Sequence, residues 1–420
     1  MEKRTATQFT YAPHLGLGMT IQVIEKTDWD WPAIHALTNS TATTTSFRKA
    51  VEVLSNTHAI AQSQAEAWIE RLSLEIARLH LEDRGDAALL ELLTAFVSDL
   101  AGGLRSWRVT VPIDGVWLES ETLQLDPDTV LRRPKGTDFE VEVDVGSAML
   151  RREPFSDNLP GVILEKRVRS LDQRDRESKV FADIFALTLA KVCSVNPMRL
   201  DFQPESLIDS SYSVGSQRGY ISSQRVWIHK DEEDSVMRFV TAIRSMIPVY
   251  ELVWGSTGPT SAGISFARYR DGLLHPEPPE ARLADAVSGL EGLLLKPEER
   301  SELQHRLALR TARVCGLLLG KPLEIYHKMT AAYDFRSVHV HGGAAKGEDR
   351  PSIEALLPAI LDYLRVCLVV FLQKPDPANK DRLISRLDNA LLDPQALERL
   401  KEDFSKLIIS PLIPQPKKGT

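Results

Sequence analysis

The spacing of apolar positions changes along the chain, and the changes divide it. Between residues 58 and 101 apolar side chains recur at three- and four-residue steps. Trp68, Leu72, Ile76 and Leu79 form one stripe, and Leu89, Leu92, Leu93, Phe96 and Leu100 form another. This is the period of amphipathic helices, so two are predicted, the second stopped by Gly102-Gly103. Before them, Thr38 to Ser46 is mostly Thr and Ser and reads as a loop. At Trp107 the period drops to two: Trp107, Val109 and Val111 alternate with Arg108, Thr110 and Pro112. Asp114-Gly115 separates this run from Val116-Trp117-Leu118, which predicts a hairpin. Phe139 to Val145 alternates again, with Glu140, Glu142 and Asp144 on the other face. Leu164 to Lys179 is dense in both charge signs and reads as an exposed, ion-paired entry to a buried helix over Val180 to Val195. Ser235 to Ser245 reads as a further helix. Val249 to Trp254 and Ile264 to Tyr269 read as strands.

Pro276-Glu277-Pro278-Pro279 cannot continue a helix or a central strand, and the main boundary is placed there. Beyond it the helical period holds almost to the end. Leu283, Val287, Leu290 and Leu294 make one stripe. A second helix, opened by Pro297, is lined by Leu303, Leu307, Val314 and Leu318 and stopped by Gly320. A third runs from Leu323 to about His341, and a fourth carries Ile353, Leu356, Leu357, Ile360, Leu364 and Leu368. Short connections between helices predict an up-down bundle, and the more polar helices after Lys374 read as an appended hairpin. The expected class is α+β. Residues 1–104 form a mainly helical region, 105–275 a mixed region able to join it in one domain, and 280–420 a helical bundle with appended helices.

Composition narrows the chemistry. Over 420 residues, 43% hydrophobic and 26% charged content is that of a globular protein with sizeable cores. A net charge of −7 supplies no global attraction to nucleic acid, so any RNA contact needs a local basic surface. The cysteines, Cys193, Cys315 and Cys367, sit far apart in apolar helical patterns. They read as buried reduced thiols in a cytoplasmic protein, and no CxxC pair points to zinc. The apolar run Val366 to Leu372 is shorter than the roughly 20 residues that cross a bilayer, so no membrane is expected. Tyr212, Arg218, Tyr220, Arg225, Trp227, His229 and Lys230 interleave basic and aromatic groups, which suits RNA or an ordinary strand pair. The first 275 residues hold no phosphate-binding loop, nucleophile elbow or zinc-protease helix.

Candidate chemistry gathers in Tyr333 to Gly343. The guanidinium of Arg336 presents a planar fork that matches phosphate oxygens, and the imidazole of His341 can move protons near neutrality. Spacing alone is not specific, because Arg270/His275 and Arg300/His305 repeat it. The third pair differs in following a helix and ending on Gly342-Gly343. On a regular helix five residues turn the chain by about 500°, so Arg336 and His341 stand about 140° apart, whereas His339 is nearer Arg336 in azimuth. Either the helix ends before His341, or the site combines groups from two protomers. As ordinary structure, Arg336 can pair with Asp334 or Glu291 to staple helices, and His341 can cap a helix end.

Tyr333, Arg336-Ser337 and Val340-His341-Gly342 resemble the signature of the Apea-like branch of the HEPN superfamily, in which an Arg and a His lie four to six residues apart. The likeness extends back through Asp285 to Glu291 and Arg306 to Ala312 and covers the last third of the chain. It implies a helical bundle that forms a homodimer with facing motifs. The implied activity is metal-independent RNA cleavage in antiviral defence or as a toxin, without a cofactor and alongside a defence-system partner protein. Arg336 and His341 are then the catalytic pair. Ser337, His339, Tyr333 and Glu291 support it, with Glu291 placed to orient Arg336, and Lys346 and Arg350 are placed to meet RNA phosphates. The N-terminal part is expected to sense or regulate. The alternative expectation is a non-catalytic dimerisation module that binds RNA, a nucleotide or a protein.

Overall fold

In the computed structural model the described residues are 7–11, 19–25, 45–58, 61–81, 84–101, 105–135, 141–145, 148–153, 161–191, 196–215 without 198, 207 and 210, 226–255, 258–274, 278–341, 352–373, 379–409 and 411. The chain mixes helix and strand, with sheet in its N-terminal half and helices after it. Strands β1 (Thr7–Tyr11) and β2 (Met19–Glu25) precede helices α1 (Thr45–His58), α2 (Gln62–Leu81) and α3 (Gly85–Leu100). Val51 and Leu54 of α1 close over Trp68, Ile69 and Leu72 of α2, with Phe96 of α3 completing a small separate core. The Ser/Thr loop expected over 38–46 falls outside the described residues up to 44; from Thr45 the chain is helical.

Next come β3 (Ser106–Asp114), β4 (Val116–Leu118), β5 (Thr122–Asp126), β6 (Thr129–Arg132), β7 (Val141–Val145), β8 (Ala148–Glu153) and β9 (Val162–Arg169). Helix α4 (Gln173–Ala190) follows, then β10 (Asn196–Pro197), β11 (Arg199–Pro204), β12 (Tyr212–Gly215) and β13 (Val226–Ile228). The main sheet runs β12-β11-β3-β9-β6-β5, with β10 also on β3, and its strands pair antiparallel. A second sheet runs β1-β2-β8-β7.

Two sequence expectations are corrected here. The hairpin through Asp114-Gly115 does not form, because both edges of β3 are already taken by β9 and by β11 with β10. Gly115, at a φ of 93°, turns the chain away, and β4 pairs in parallel with β13. The charged run from Leu164 is not a helix entry in its first half: up to Arg169 it is β9, one of the two central strands. Leu164, Lys166 and Val168 are buried, and Arg167 and Arg169 are exposed. The helix starts only after Asp172, whose carboxylate accepts from the backbone N–H of Asp175 and caps it.

Helix α4 is buried on nearly every side from Asp183 to Ala190, a wedge between the sheet and the helices that follow. Those are α5 (Glu233–Ile243), one 3₁₀ turn, α6 (Val249–Trp254), α7 (Ser261–Leu274), α8 (Pro279–Leu294), α9 (Leu303–Leu319), α10 (Pro322–His341), α11 (Ile353–Leu372), α12 (Asn379–Leu392) and α13 (Pro394–Ser405). The strands expected over Val249 to Trp254 and Ile264 to Tyr269 are helices α6 and α7. Their aromatic and branched residues favour strands locally, yet Phe266 and Tyr269 are wholly buried at helical spacing against α4, and packing overrides propensity. The helix expected to open at Pro297 begins at Leu303, after Glu302 in a left-handed conformation with φ of 55°.

The two helices that flank the proline-rich break pack together. Ser265 of α7 donates to the carbonyl of Gly289 in α8 at 2.8 Å. One apolar core runs from the sheet through α4 into the bundle. Arg365 of α11 joins the layers by donating to the carbonyls of Leu189 and Ala190, the last residues of α4. Helix α11 is long and apolar enough to cross a bilayer by composition, but 78% of its most apolar window is covered by protein, which places it in the core. Within the bundle α8 packs on α7, α10 and α11.

Candidate functional site

Helix α10 decides where the motif points. Ile325, Met329 and Ala332 are buried at steps of four and three. Arg336, four residues further, continues the same stripe, so its side chain is directed at the neighbouring helices. It is not sealed there: 24% of the side chain is exposed. Its Nη2 lies 2.9 Å from Oε2 of Glu291 on α8, a side chain only 18% exposed. The guanidinium carbon stands 5.8 Å from the centre of the Tyr333 ring, within cation–π reach. The Nε of Arg336 is buried without a hydrogen-bond partner among the described residues.

Tyr333 completes the group beside Glu291. Burial pushes the Glu291 carboxyl above its ordinary value, and Arg336 and Tyr333 oppose that only in part. Burial, followed by the neighbouring Glu291 charge, pushes the Tyr333 phenol up as well. An arginine carries five N–H donors, so one carboxylate does not exhaust it. The arrangement fixes the guanidinium in place while keeping part of it open.

The remaining expected residues are distributed as follows. Ser337 is half-buried next to Arg336, and His339 is exposed. Helix α10 continues through His341, so it does not end before the histidine, and His341 occupies a position about 140° around the helix from Arg336. The side chain of His341 and the whole of Lys346 and Arg350 lie outside the described residues. Of the other pairs with this spacing, Arg300 lies in the loop before α9, and His305 meets the hydroxyl of Tyr326 at 3.0 Å through Nδ1.

Between the two ordinary partners available to Arg336, the ion pair forms with Glu291. Asp334 accepts a hydrogen bond from Gln304 at 2.8 Å. The sequence carried no signal for Gln304, because its contact depends on how α9 and α10 lie together. The two buried thiols, Cys315 on α9 and Cys367 on α11, come within 3.9 Å of each other although 52 residues separate them. Burial, and then the neighbouring Cys367, raises the Cys315 thiol far above its ordinary value, which keeps it protonated and unreactive.

No known protein family, curated protein or solved structure matches this chain.

Proposed function

We propose that the chain is a metal-independent endoribonuclease of the HEPN type, acting as a homodimer. The observation that carries this reading is the Arg336 guanidinium, anchored by Glu291 and Tyr333 yet still partly open. An oriented arginine stabilises charge that builds on phosphoryl oxygens as the RNA 2′-hydroxyl attacks the adjacent phosphorus. His341, in the last turn of α10, transfers a proton. Arg336 and His341 diverge on one helix, so a complete site takes the arginine of one protomer and the histidine of its partner. The N-terminal sheet and helices serve to sense or regulate, and the biological setting is antiviral defence or toxicity, as the motif resemblance implies.

The test is cleavage of tRNA and total RNA by purified wild type, Arg336→Ala and His341→Ala with a metal chelator present. Wild type yields 2′,3′-cyclic phosphate and 5′-hydroxyl ends. Each variant loses at least about 10²-fold in rate. Equal rates for His341→Ala and wild type end the assignment.

One observation favours a second reading. The Arg336–Glu291 bond joins α8 and α10 within a single protomer, as a structural staple would. On that reading the chain is a non-catalytic dimerisation module that binds RNA, a nucleotide or a protein. A wild-type protein that binds RNA with Arg336-dependent affinity and never cuts it establishes the second reading over the first.

A further inference from the structure

Within one protomer, the titratable group that meets Arg336 through a side-chain ion pair is Glu291, because His341 stands on another side of α10. The carboxylate is joined to the arginine at 2.9 Å, neighboured by Tyr333, and exposed at its edge. We propose that Glu291 is a catalytic residue: the general base that takes the proton from the attacking ribose 2′-hydroxyl. This rests on the ribonuclease reading above and adds to it the group that starts the reaction.

The substrate presents its groups in a matching order. In RNA the 2′-hydroxyl and the phosphodiester are neighbours on one ribose. On the protein a proton acceptor and a phosphate-binding fork are neighbours at the α8–α10 contact. A phosphate held by the free donors of Arg336 brings its own 2′-hydroxyl towards the carboxylate bonded to that arginine. The proton then passes from the 2′-oxygen to Glu291, the 2′-oxygen–phosphorus bond forms, and the 5′-oxygen–phosphorus bond breaks. The departing 5′-oxygen takes a proton from the histidine of the partner copy. Protonated Glu291 and neutral histidine exchange protons with water, so the cycle closes with neither oxidant nor metal.

The surroundings of Glu291 favour a working base over an inert staple. Its charged and titratable neighbours on α10 are Arg336 and Tyr333. From α12, Lys380 reaches the same part of α8, donating to the carbonyl of Gly292 at 2.7 Å. Among the charges of α7, α9 and α11, Arg268 pairs with Asp285, Arg306 with Glu299 and Arg365 with Asp362. Burial outweighs the single arginine, leaving the carboxyl more basic than an ordinary glutamate. A carboxylate shifted that way is a better proton acceptor near neutrality.

The experiment compares wild type, Glu291→Gln and Glu291→Asp on an RNA dinucleotide across pH, recording kcat and KM separately. Glu291→Gln is expected to lower kcat by about 10²-fold with little change in KM and to abolish the acid-side limb of the pH profile. Glu291→Asp keeps a carboxylate, so it retains that limb and recovers part of the rate. A purely structural role predicts the reverse: the limb survives in Glu291→Gln, and any loss follows thermal stability. If Glu291→Gln cleaves like wild type while Arg336→Ala is inactive, this inference fails and the ribonuclease reading stands. If wild type itself cleaves nothing, both fall.

Discussion

The Nζ of Lys166 lies 2.6 Å from Oδ2 of Asp183, a carboxylate with no exposed surface, and Nη1 of Arg244 reaches Oδ1 of the same group at 3.1 Å. Arg244 also pairs with Asp126, and Lys166 donates to the hydroxyl of Thr129 at 3.0 Å. Two cations and two carboxylates therefore lie together where α4 meets the sheet. Removing the Asp183 charge leaves Lys166 without its carboxylate partner and Arg244 with Asp126 alone.

Asp183→Asn is accordingly expected to destabilise the protein by about 3 kcal/mol or more, read as a lower urea midpoint at unchanged slope. A loss below about 1 kcal/mol would mean that the network behaves as a solvated surface pair.

The buried Arg310 gives a pH prediction. Its Nη atoms donate to Glu299 at 2.8 and 2.6 Å, and its Nε donates to Asp388 at 2.8 Å. The hydrogen bonds from Arg310 hold the Glu299 carboxyl at about 2, against 4.5 ordinarily, with burial opposing them. The folded value lies below the unfolded one, so this stabilisation is complete above about pH 4.5 and fades as pH falls towards 2. Between those limits wild type should lose on the order of 3 kcal/mol more than Glu299→Gln, measured by denaturant titrations at successive pH.

Close approach makes two glycines unequal. A β-carbon at Gly161 would stand 1.8 Å from the carbonyl oxygen of Val116, which is backbone and cannot rotate away. At Gly289 it would stand 2.8 Å from a terminal methyl of Leu364. Gly161→Ala should cost about 3 kcal/mol or more and Gly289→Ala about 1 kcal/mol, compared in one unfolding series.

A site shared between two copies predicts complementation. Arg336→Ala and His341→Ala are each inactive alone. After mixing and exchange, half the dimers are mixed and each has one intact site, so about a quarter of wild-type activity returns. An active site confined to one protomer recovers none.

Some of this architecture was legible and some was not. The stripe Leu283, Val287, Leu290, Leu294 and its successors named α8, α10 and α11 closely, and α9 except for its start, because a three-to-four period repeated over four turns has no strand alternative. Six-residue apolar runs such as Val249 to Trp254 carry no such discrimination, and they were read as strands although they are helical. Strand β9 was hidden by its charge: a lysine on an inward position, Lys166, is tolerated only because Asp183 arrives from a helix 17 residues on. The motif residues Arg336 and Glu291 were both visible as candidates, but their ion pair was one of two that the sequence allowed, Asp334 being the other.

From the amino-acid order alone came the helices of the C-terminal half, the arginine–histidine spacing and the conflict of angle between them, since each depends on neighbours within a few turns of one helix. The tertiary structure decided that Arg336 lies on the buried stripe, that it forms an ion pair with Glu291 rather than Asp334, and that β3 finds its partners in β9 and β11. Those outcomes join residues tens of positions apart. Local periodicity states which side of an element is apolar; only the docking of whole elements determines which charges then meet.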